Sequence, residues 1–375
     1  MTEPLCPLFG RCGGCSIQDV DYQEQLRQKL SRLNEILNIP GIPVTADQPF
    51  GYRNRMDFVF HKEGLGLREK GAYDRFVNVD HCPIASEKIN SLLSEVKDAF
   101  SDAFYFDVRR RFGAFCYAVI RATGIDSSIS IVLNQKDKKR EYWTERIRAF
   151  AESSGAANVL VTLIPPNRNV SVADDYLVVK GRDRLKEEYL GFRFQFPVQG
   201  FFQVNVAVAA KVHEYVLSLL SRYDSSQSTL LDLYGGVGTF GLLNSALFKD
   251  VVILESYDPA VRCAEDNILE NGTENVRTLC DDARNLKNLD LPSPLTVILD
   301  PPRSGMHPKT VERLNSLSAE RVIYISCNPK ILSLDLEKLS NYRINSAALF
   351  DMFPQTEFFE TVVELVPAAG SHSAV

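Results

Sequence analysis

From about Leu230 onward the chain alternates short, strongly apolar runs with segments long enough for helices, and that rhythm leaves few folds open. The runs LLDL, VVILE, VRTLC, LTVILD and RVIYIS read as strands, and their alternation with helix-length stretches predicts an α/β, Rossmann-like doubly wound parallel sheet. Such sheets take their ligands outside the carboxyl ends of the strands. Catalytic chemistry is therefore expected over residues 196–366, with 367–375, ending AAGSHSAV, as a disordered tail.

Residues 1–195 read differently. A cysteine-rich opening precedes a polar helix from Tyr22 to about Leu37, after which RMDFVFHK, FCYAVIRAT and SISIVLN read as short strands. Between them SEKINSLLSEVKDAF carries apolar residues at helical spacing. This is the pattern of a preceding α+β domain, and 375 residues at 45% hydrophobic content are enough for two domains. No run of about 18 apolar residues occurs, and the opening MTEPLCPLFGRC has no charged-then-apolar leader. A cytoplasmic enzyme with no membrane partner is expected, working as a monomer. Eight cysteines in such a chain serve as thiols, metal ligands or catalysts before they serve as a disulfide framework.

A net charge of −6 argues at first against a nucleic-acid partner. The charge is unevenly spread: residues 1–195 hold 28 Lys+Arg against 26 Asp+Glu, and residues 196–375 hold 14 against 22. If RNA binds, the first half should carry most of the contact. Arg109, Arg110 and Arg111, and Lys136, Lys138, Lys139 and Arg140, are the local basic clusters, although solvated faces explain either one equally well.

Within the second half, Leu231-Asp232-Leu233-Tyr234-Gly235-Gly236-Val237-Gly238-Thr239-Phe240-Gly241 reads as a strand entering a glycine-rich turn and then a helix. Such a turn lets the backbone approach a ligand closely. Glu255 stands twenty residues after Gly235, at the end of the next strand, where a carboxylate can accept bonds from ribose hydroxyls. The turn alone serves NAD and S-adenosylmethionine equally. The fourth strand decides between them, because it ends in Asp300-Pro301-Pro302-Arg303, a form of the acidic-Pro-Pro sequence that methyltransferases set beside donor and acceptor.

The fifth strand runs into Ser326-Cys327-Asn328-Pro329, which puts a thiol at the carboxyl end of a parallel strand. Cys116, Cys263 and Cys280 read as buried small hydrophobes; Cys327 differs by its position. Phe353-Pro354-Gln355-Thr356-Glu357-Phe358-Phe359-Glu360 precedes the strand-like TVVELV and offers Glu360 as a general base, with Glu357 as its rival.

Read together, these segments resemble the RNA 5-methyluridine (uracil-C5) methyltransferase family, from Cys6 to about Val366. The resemblance implies an S-adenosylmethionine-dependent enzyme. It makes Gln203, in Phe201-Phe202-Gln203-Val204-Asn205, together with Tyr234, Glu255 and Asp300, the donor contacts. Cys327 becomes the nucleophile and Glu360 the base. Carbon 5 of uracil is too poor a nucleophile to take a methyl group directly; a thiolate adding to carbon 6 activates it, and a base then removes the carbon-5 proton.

The resemblance also implies that Cys6, Cys12, Cys15 and Cys82 ligate a [4Fe–4S] cluster, although four thiolates suit zinc as well. Gln355 and Phe358 stand where family members often carry histidines. The cluster cysteines and the absence of an amino-terminal barrel are most similar to the branch acting on 23S ribosomal RNA at uridine 747, with transfer RNA as the alternative. Two rivals stay open: an amino-group nucleic-acid methyltransferase, and a non-catalytic RNA-binding assembly factor.

Overall fold

The computed structural model describes residues 2–368. All but the first two residues of the tail expected over 367–375 lie outside them. The chain divides into two compact units, each discontinuous in sequence. The first comprises the residues up to Tyr22, Gln48–Glu187 and Pro197–Val206; the second comprises Gln23–Asp47, Glu188–Phe196 and the chain from Ala207 on. This partition differs from a single cut between 195 and 196, because Gln23–Asp47 packs with the second unit. Leu33, Leu37 and Ile42 are buried in that unit's core, beside Leu231, Val297, Val322 and Val363.

All five apolar runs of the second half are strands, and they are parallel to one another: Thr229–Leu233, Asp250–Glu255, Val276–Cys280, Leu295–Leu299 and Arg321–Ser326. The sheet as a whole is mixed rather than parallel. Among the described residues it has eight strands, in the order Val44–Thr45, Tyr342–Phe350, Glu360–Pro367, Arg321–Ser326, Leu295–Leu299, Thr229–Leu233, Asp250–Glu255, Val276–Cys280. Glu360–Pro367 runs antiparallel to both of its neighbours. Only loop 351–359 joins it to Tyr342–Phe350, and so short a link permits an antiparallel return but no parallel crossover. The strand order reverses between Thr229–Leu233 and its two neighbours, which makes this the switch point where a crevice opens.

The first unit holds a seven-stranded sheet, in the order Phe76–Asn78, Gly64–Arg68, Arg55–His61, Phe115–Ala122, Ser127–Asn134, Asn158–Ile164, Tyr176–Lys180. Its pairs are antiparallel except Ser127–Asn134 with Asn158–Ile164, whose connection carries the helix Arg140–Ser153, as a parallel crossover requires. The expected helix appears as Glu87–Ala99. Its N-cap Ser86 accepts the Ile89 N–H at 3.4 Å, and Ile89, Leu92, Leu93 and Val96 are buried.

Candidate active site

Strand register brings the predicted nucleophile and base together. Ser326 pairs with Thr361 in antiparallel register, so Cys327, one residue further along one strand, comes opposite Glu360, one residue back along the other. Leu299 pairs with Tyr324, Leu233 with Leu299, and Leu233 with Leu254. The residues that follow these strands, Tyr234, Asp300 and Cys327, therefore emerge at the same edge, together with the terminal Glu255. Four residues separated by up to 93 positions in sequence lie at one sheet edge because the strands that carry them are in register.

The glycine turn behaves as its sequence implies. Tyr234, at φ +64°, and Gly236, at φ +54°, adopt left-handed backbone. A Cβ on Gly236 would meet nothing within 4 Å, whereas one on Gly235 would come 2.7 Å from the Ile253 side chain. The turn is thus packed on one side and open on the other. Glu255 folds over it: one carboxylate oxygen accepts the Gly236 N–H at 3.1 Å, and the other accepts the Ser256 and Tyr257 N–H groups at 2.7 and 2.8 Å. A left-handed backbone at a non-glycine residue costs about 1–3 kcal/mol and persists only where surrounding structure enforces it.

Burial dominates the electrostatics of the crevice. Asp232 accepts the Gly241 N–H at 2.8 Å, yet burial pushes its carboxyl up to about 7, and neighbouring Glu255 adds to the rise. Asp300 is also pushed up to about 7, by burial and then by the charge of Asp232. Glu360 lies well above the usual carboxylate range, by burial and then by Asp300, with Arg303 opposing. The Cys327 thiol is pushed up to about 12 by burial, Glu360 and Asp300, again with Arg303 opposing. The crevice accordingly holds its acids protonated more readily than water would, and the Arg303 guanidinium counteracts this at both the thiol and the base. Glu357, the rival base, is exposed, while Glu360 is buried.

The base loop rests on the helix Tyr22–Leu37, a support that sequence patterning did not reveal. Buried Lys29 donates to Asp351 Oδ1 at 2.6 Å and to the Phe353 carbonyl at 3.2 Å. Gln25 and Gln355 exchange two bonds: Gln25 Nε2 donates to Gln355 Oε1 at 3.0 Å, and the Gln355 N–H donates to Gln25 Oε1 at 3.1 Å. Gln355 itself is left-handed, at φ +68°. Where histidines are common in the family, this chain thus anchors one position with an amide pair. At the other, Phe358 stays half exposed beneath the Arg303 guanidinium, 4.6 Å from its ring centre.

A family model for tRNA (Uracil-5-)-methyltransferase matches residues 21–367. The chain belongs to that family. It is an S-adenosylmethionine-dependent RNA (uracil-C5) methyltransferase. The methyltransferase is 31% identical to an uncharacterized RNA methyltransferase of Clostridium tetani, over 97% of this chain and 84% of that one. It is 29% identical to the tRNA (uracil(54)-C(5))-methyltransferase of Pyrococcus horikoshii, over 96% and 84% respectively. Among solved structures, that of the Pyrococcus abyssi tRNA (uracil-54, C5)-methyltransferase, in complex with S-adenosyl-L-homocysteine, is similar. It has a TM-score of 0.78 and 26% identity, covering 94% of this chain and 86% of that one.

The remaining predicted residues of the methyltransferase lie in the first unit. The Gln203 carbonyl accepts from Asn54 Nδ2 at 2.9 Å. Burial pushes the Cys15 thiol up to about 12, and Cys82, Cys12 and Cys6 add to the rise. Their loops are held locally: Gln18 accepts the Cys6 N–H at 2.6 Å, the Gly14 N–H points at Cys12 Sγ at 3.4 Å, and Asn90 accepts the Cys82 N–H at 2.9 Å while donating to its carbonyl at 3.2 Å. Among the described residues, however, no three His, Cys, Asp or Glu side chains are arranged to hold a metal ion. Of the other thiols Cys116 and Cys263 are buried as expected. Cys280 is exposed, contrary to expectation, because it ends the outermost strand of its sheet. No helix among the described residues is long and apolar enough to cross a membrane.

Proposed function

We propose that the enzyme methylates carbon 5 of a loop uridine in a structured RNA through a covalent adduct on Cys327. The observation that carries this reading is the strand register that sets Cys327 opposite Glu360, with Asp300 at the neighbouring strand end. The target base leaves its stack and enters the crevice, at a cost of a few kcal/mol. Cys327 loses its proton to water and its sulfur bonds to carbon 6, which moves the electron pair onto carbon 5. Carbon 5 then takes the methyl group from S-adenosylmethionine, whose carbon–sulfur bond breaks. Glu360 accepts the carbon-5 proton, the carbon 6–sulfur bond breaks, and the thiolate leaves. Tyr234, Glu255 and Asp300 hold the donor; Gln203, in the first unit, is assigned to it by its motif alone.

Burial and the neighbouring Glu360 and Asp300 disfavour the Cys327 thiolate, so we expect activation to come with bound substrate. The test uses 5-fluorouridine transcripts, in which carbon 5 carries no removable proton, so that the adduct persists through denaturation. We expect the adduct to map to Cys327 and Glu360→Gln to release normal product about 10²–10⁴-fold more slowly. Full turnover by Cys327→Ala would instead favour amino-group methylation.

The relatives named for uridine 54 support a transfer RNA as substrate; the reading from sequence favoured uridine 747 of 23S ribosomal RNA. Offering both transcripts in the adduct assay decides between them, since only the true substrate should trap the enzyme at stoichiometric yield.

The donor set of Cys6, Cys12, Cys15 and Cys82 is chemically that of a [4Fe–4S] cluster or of zinc, and the Gly14 N–H directed at Cys12 Sγ suits a thiolate ligand. On the sequence spacing and the thiol chemistry, and not on the present arrangement of the side chains, we assign these four cysteines to an iron–sulfur cluster with a structural or RNA-positioning role rather than a redox one. Anaerobically purified protein should contain iron and acid-labile sulfide, with broad visible absorption that Cys15→Ser abolishes. Stoichiometric zinc in place of iron would reassign the site.

A further inference from the structure

The first unit contains a cavity of about 140 Å³ that the methyl-transfer chemistry does not use. Its floor is apolar and buried, formed by Val59, Phe106, Cys116 and Ile164. Its rim carries the guanidinium groups of Arg68, Arg111 and Arg168, and no carboxylate lines it. In a chain of net charge −6, three cations without an acid select an anionic ligand.

One wall is pre-built. Arg68 Nη1 donates to the Tyr73 carbonyl at 2.6 Å; Nη2 donates to the Tyr117 hydroxyl at 2.9 Å and to Asn169 Oδ1 at 3.2 Å. Its guanidinium lies over the Tyr73 ring, 5.1 Å from the centre. Asn169 Nδ2 in turn donates to the Tyr73 hydroxyl at 2.8 Å, so the ring is held although it is 59% exposed. The other two arginines are different. Arg109 and Arg110 of the same turn are paired with Asp74 and Asp107, whereas Arg111 and Arg168 have no ion pair among the described residues. Arg111 is also held in left-handed backbone, at φ +52°, a strain that is retained preferentially at functional positions.

Two free guanidinium groups at the rim, a fixed exposed ring and an apolar floor are together what a nucleotide needs: phosphate contacts, a stacking face and a dry seat for a flat ring. The volume is close to that of the engineered cavity of about 150 Å³ that accepts one benzene, so it admits one six-membered ring. We propose that this cavity binds a single unpaired nucleotide of the RNA substrate, other than the target uridine. Its base lies on the floor against Tyr73, and its phosphate lies between Arg111 and Arg168. The inference rests on the reading of the chain as an RNA uracil methyltransferase, and it adds a second point of RNA recognition to that reading.

The test compares Arg111→Ala/Arg168→Ala and Tyr73→Ala with the parent protein. RNA affinity is measured on tRNA and 23S rRNA-fragment transcripts at several salt concentrations, alongside donor affinity and binding of the four free mononucleotides. We expect Tyr73→Ala to weaken RNA binding about 5- to 100-fold, the range for one stacked base. The double variant should lower the salt slope by about 0.7, the value for one phosphate contact on a single strand. The KM for RNA should rise in step, and donor affinity should hold. Unchanged RNA affinity and slope in both variants would overturn the proposal. Loss of mononucleotide binding with RNA binding intact would overturn it too, and would make the cavity a site for a free nucleotide. Weakened RNA binding in the variants, with no Cys327 adduct from the parent protein on either RNA, would leave this site standing and remove the methylation reading instead.

Discussion

Arg303 is the residue on which the chemistry of the crevice balances. It is the cation that opposes the upward shifts of both Cys327 and Glu360; burial and the neighbouring carboxylates favour the neutral forms. Because the thiol must lose a proton to attack and Glu360 must be ionised to accept one, kcat/KM should climb with pH through the neutral range. Removing Arg303 raises both groups further. Arg303→Met should therefore lower kcat/KM across the neutral range and move the rising limb to higher pH. An unchanged pH–rate profile in the variant would show that Arg303 does not set the ionisation of either group. Cys327, Asp300 and Glu255 were legible in the sequence because each follows or ends an apolar run, so strand prediction alone sets them at one edge; Glu360 begins its strand and reaches that edge only because the strand runs antiparallel. The partners of Gln355 were not legible. Gln25 lies 330 positions away, on a helix whose polar composition reads as solvent-facing.

That helix, Tyr22–Leu37, was predicted with its observed ends, yet its role follows from contacts that periodicity does not encode. Gln25 and Lys29 are buried beside Leu33 and Leu37: the inward face is half polar because it meets a loop with its own polar groups to satisfy. The Lys29–Asp351 pair, 2.6 Å apart and almost wholly buried on both sides, repays its desolvation only while both partners remain. Lys29→Met leaves Asp351 buried without its cation and should lower stability by about 3–5 kcal/mol. Lys29→Met/Asp351→Leu should recover much of that loss. Denaturant titration of the single and double variants checks this; equal loss in both would mean that packing, not charge, sustains the contact. The antiparallel strand Glu360–Pro367 also escaped the expectation of a parallel sheet, since a buried strand carries no mark of its direction and only the short loop 351–359 dictates it.

At the scale of the molecule, the chain leaves and re-enters its units more than once. The segment Gln23–Asp47 supplies Leu33, Leu37 and Ile42 to the core of the second unit and a short strand, Val44–Thr45, to the edge of its sheet. A fragment beginning at residue 196, the expected start of the catalytic domain, lacks all of these. It should fail to unfold cooperatively, while a fusion that restores 23–47 ahead of it should regain a single sharp thermal transition. Calorimetry of the two fragments distinguishes them, and a cooperative transition in the shorter one would show that the segment is dispensable.

The same pairing sets a clock during synthesis. Lys29 leaves the ribosome 322 residues ahead of Asp351, which at 5–20 residues per second is on the order of 16–65 s. For that interval the amino-terminal helix exists with its inward face uncovered, and the loop that carries the base has not yet been made. The nascent chain is therefore most exposed to proteases and holdase chaperones at its beginning, and the catalytic crevice cannot be finished until the last strand has been translated.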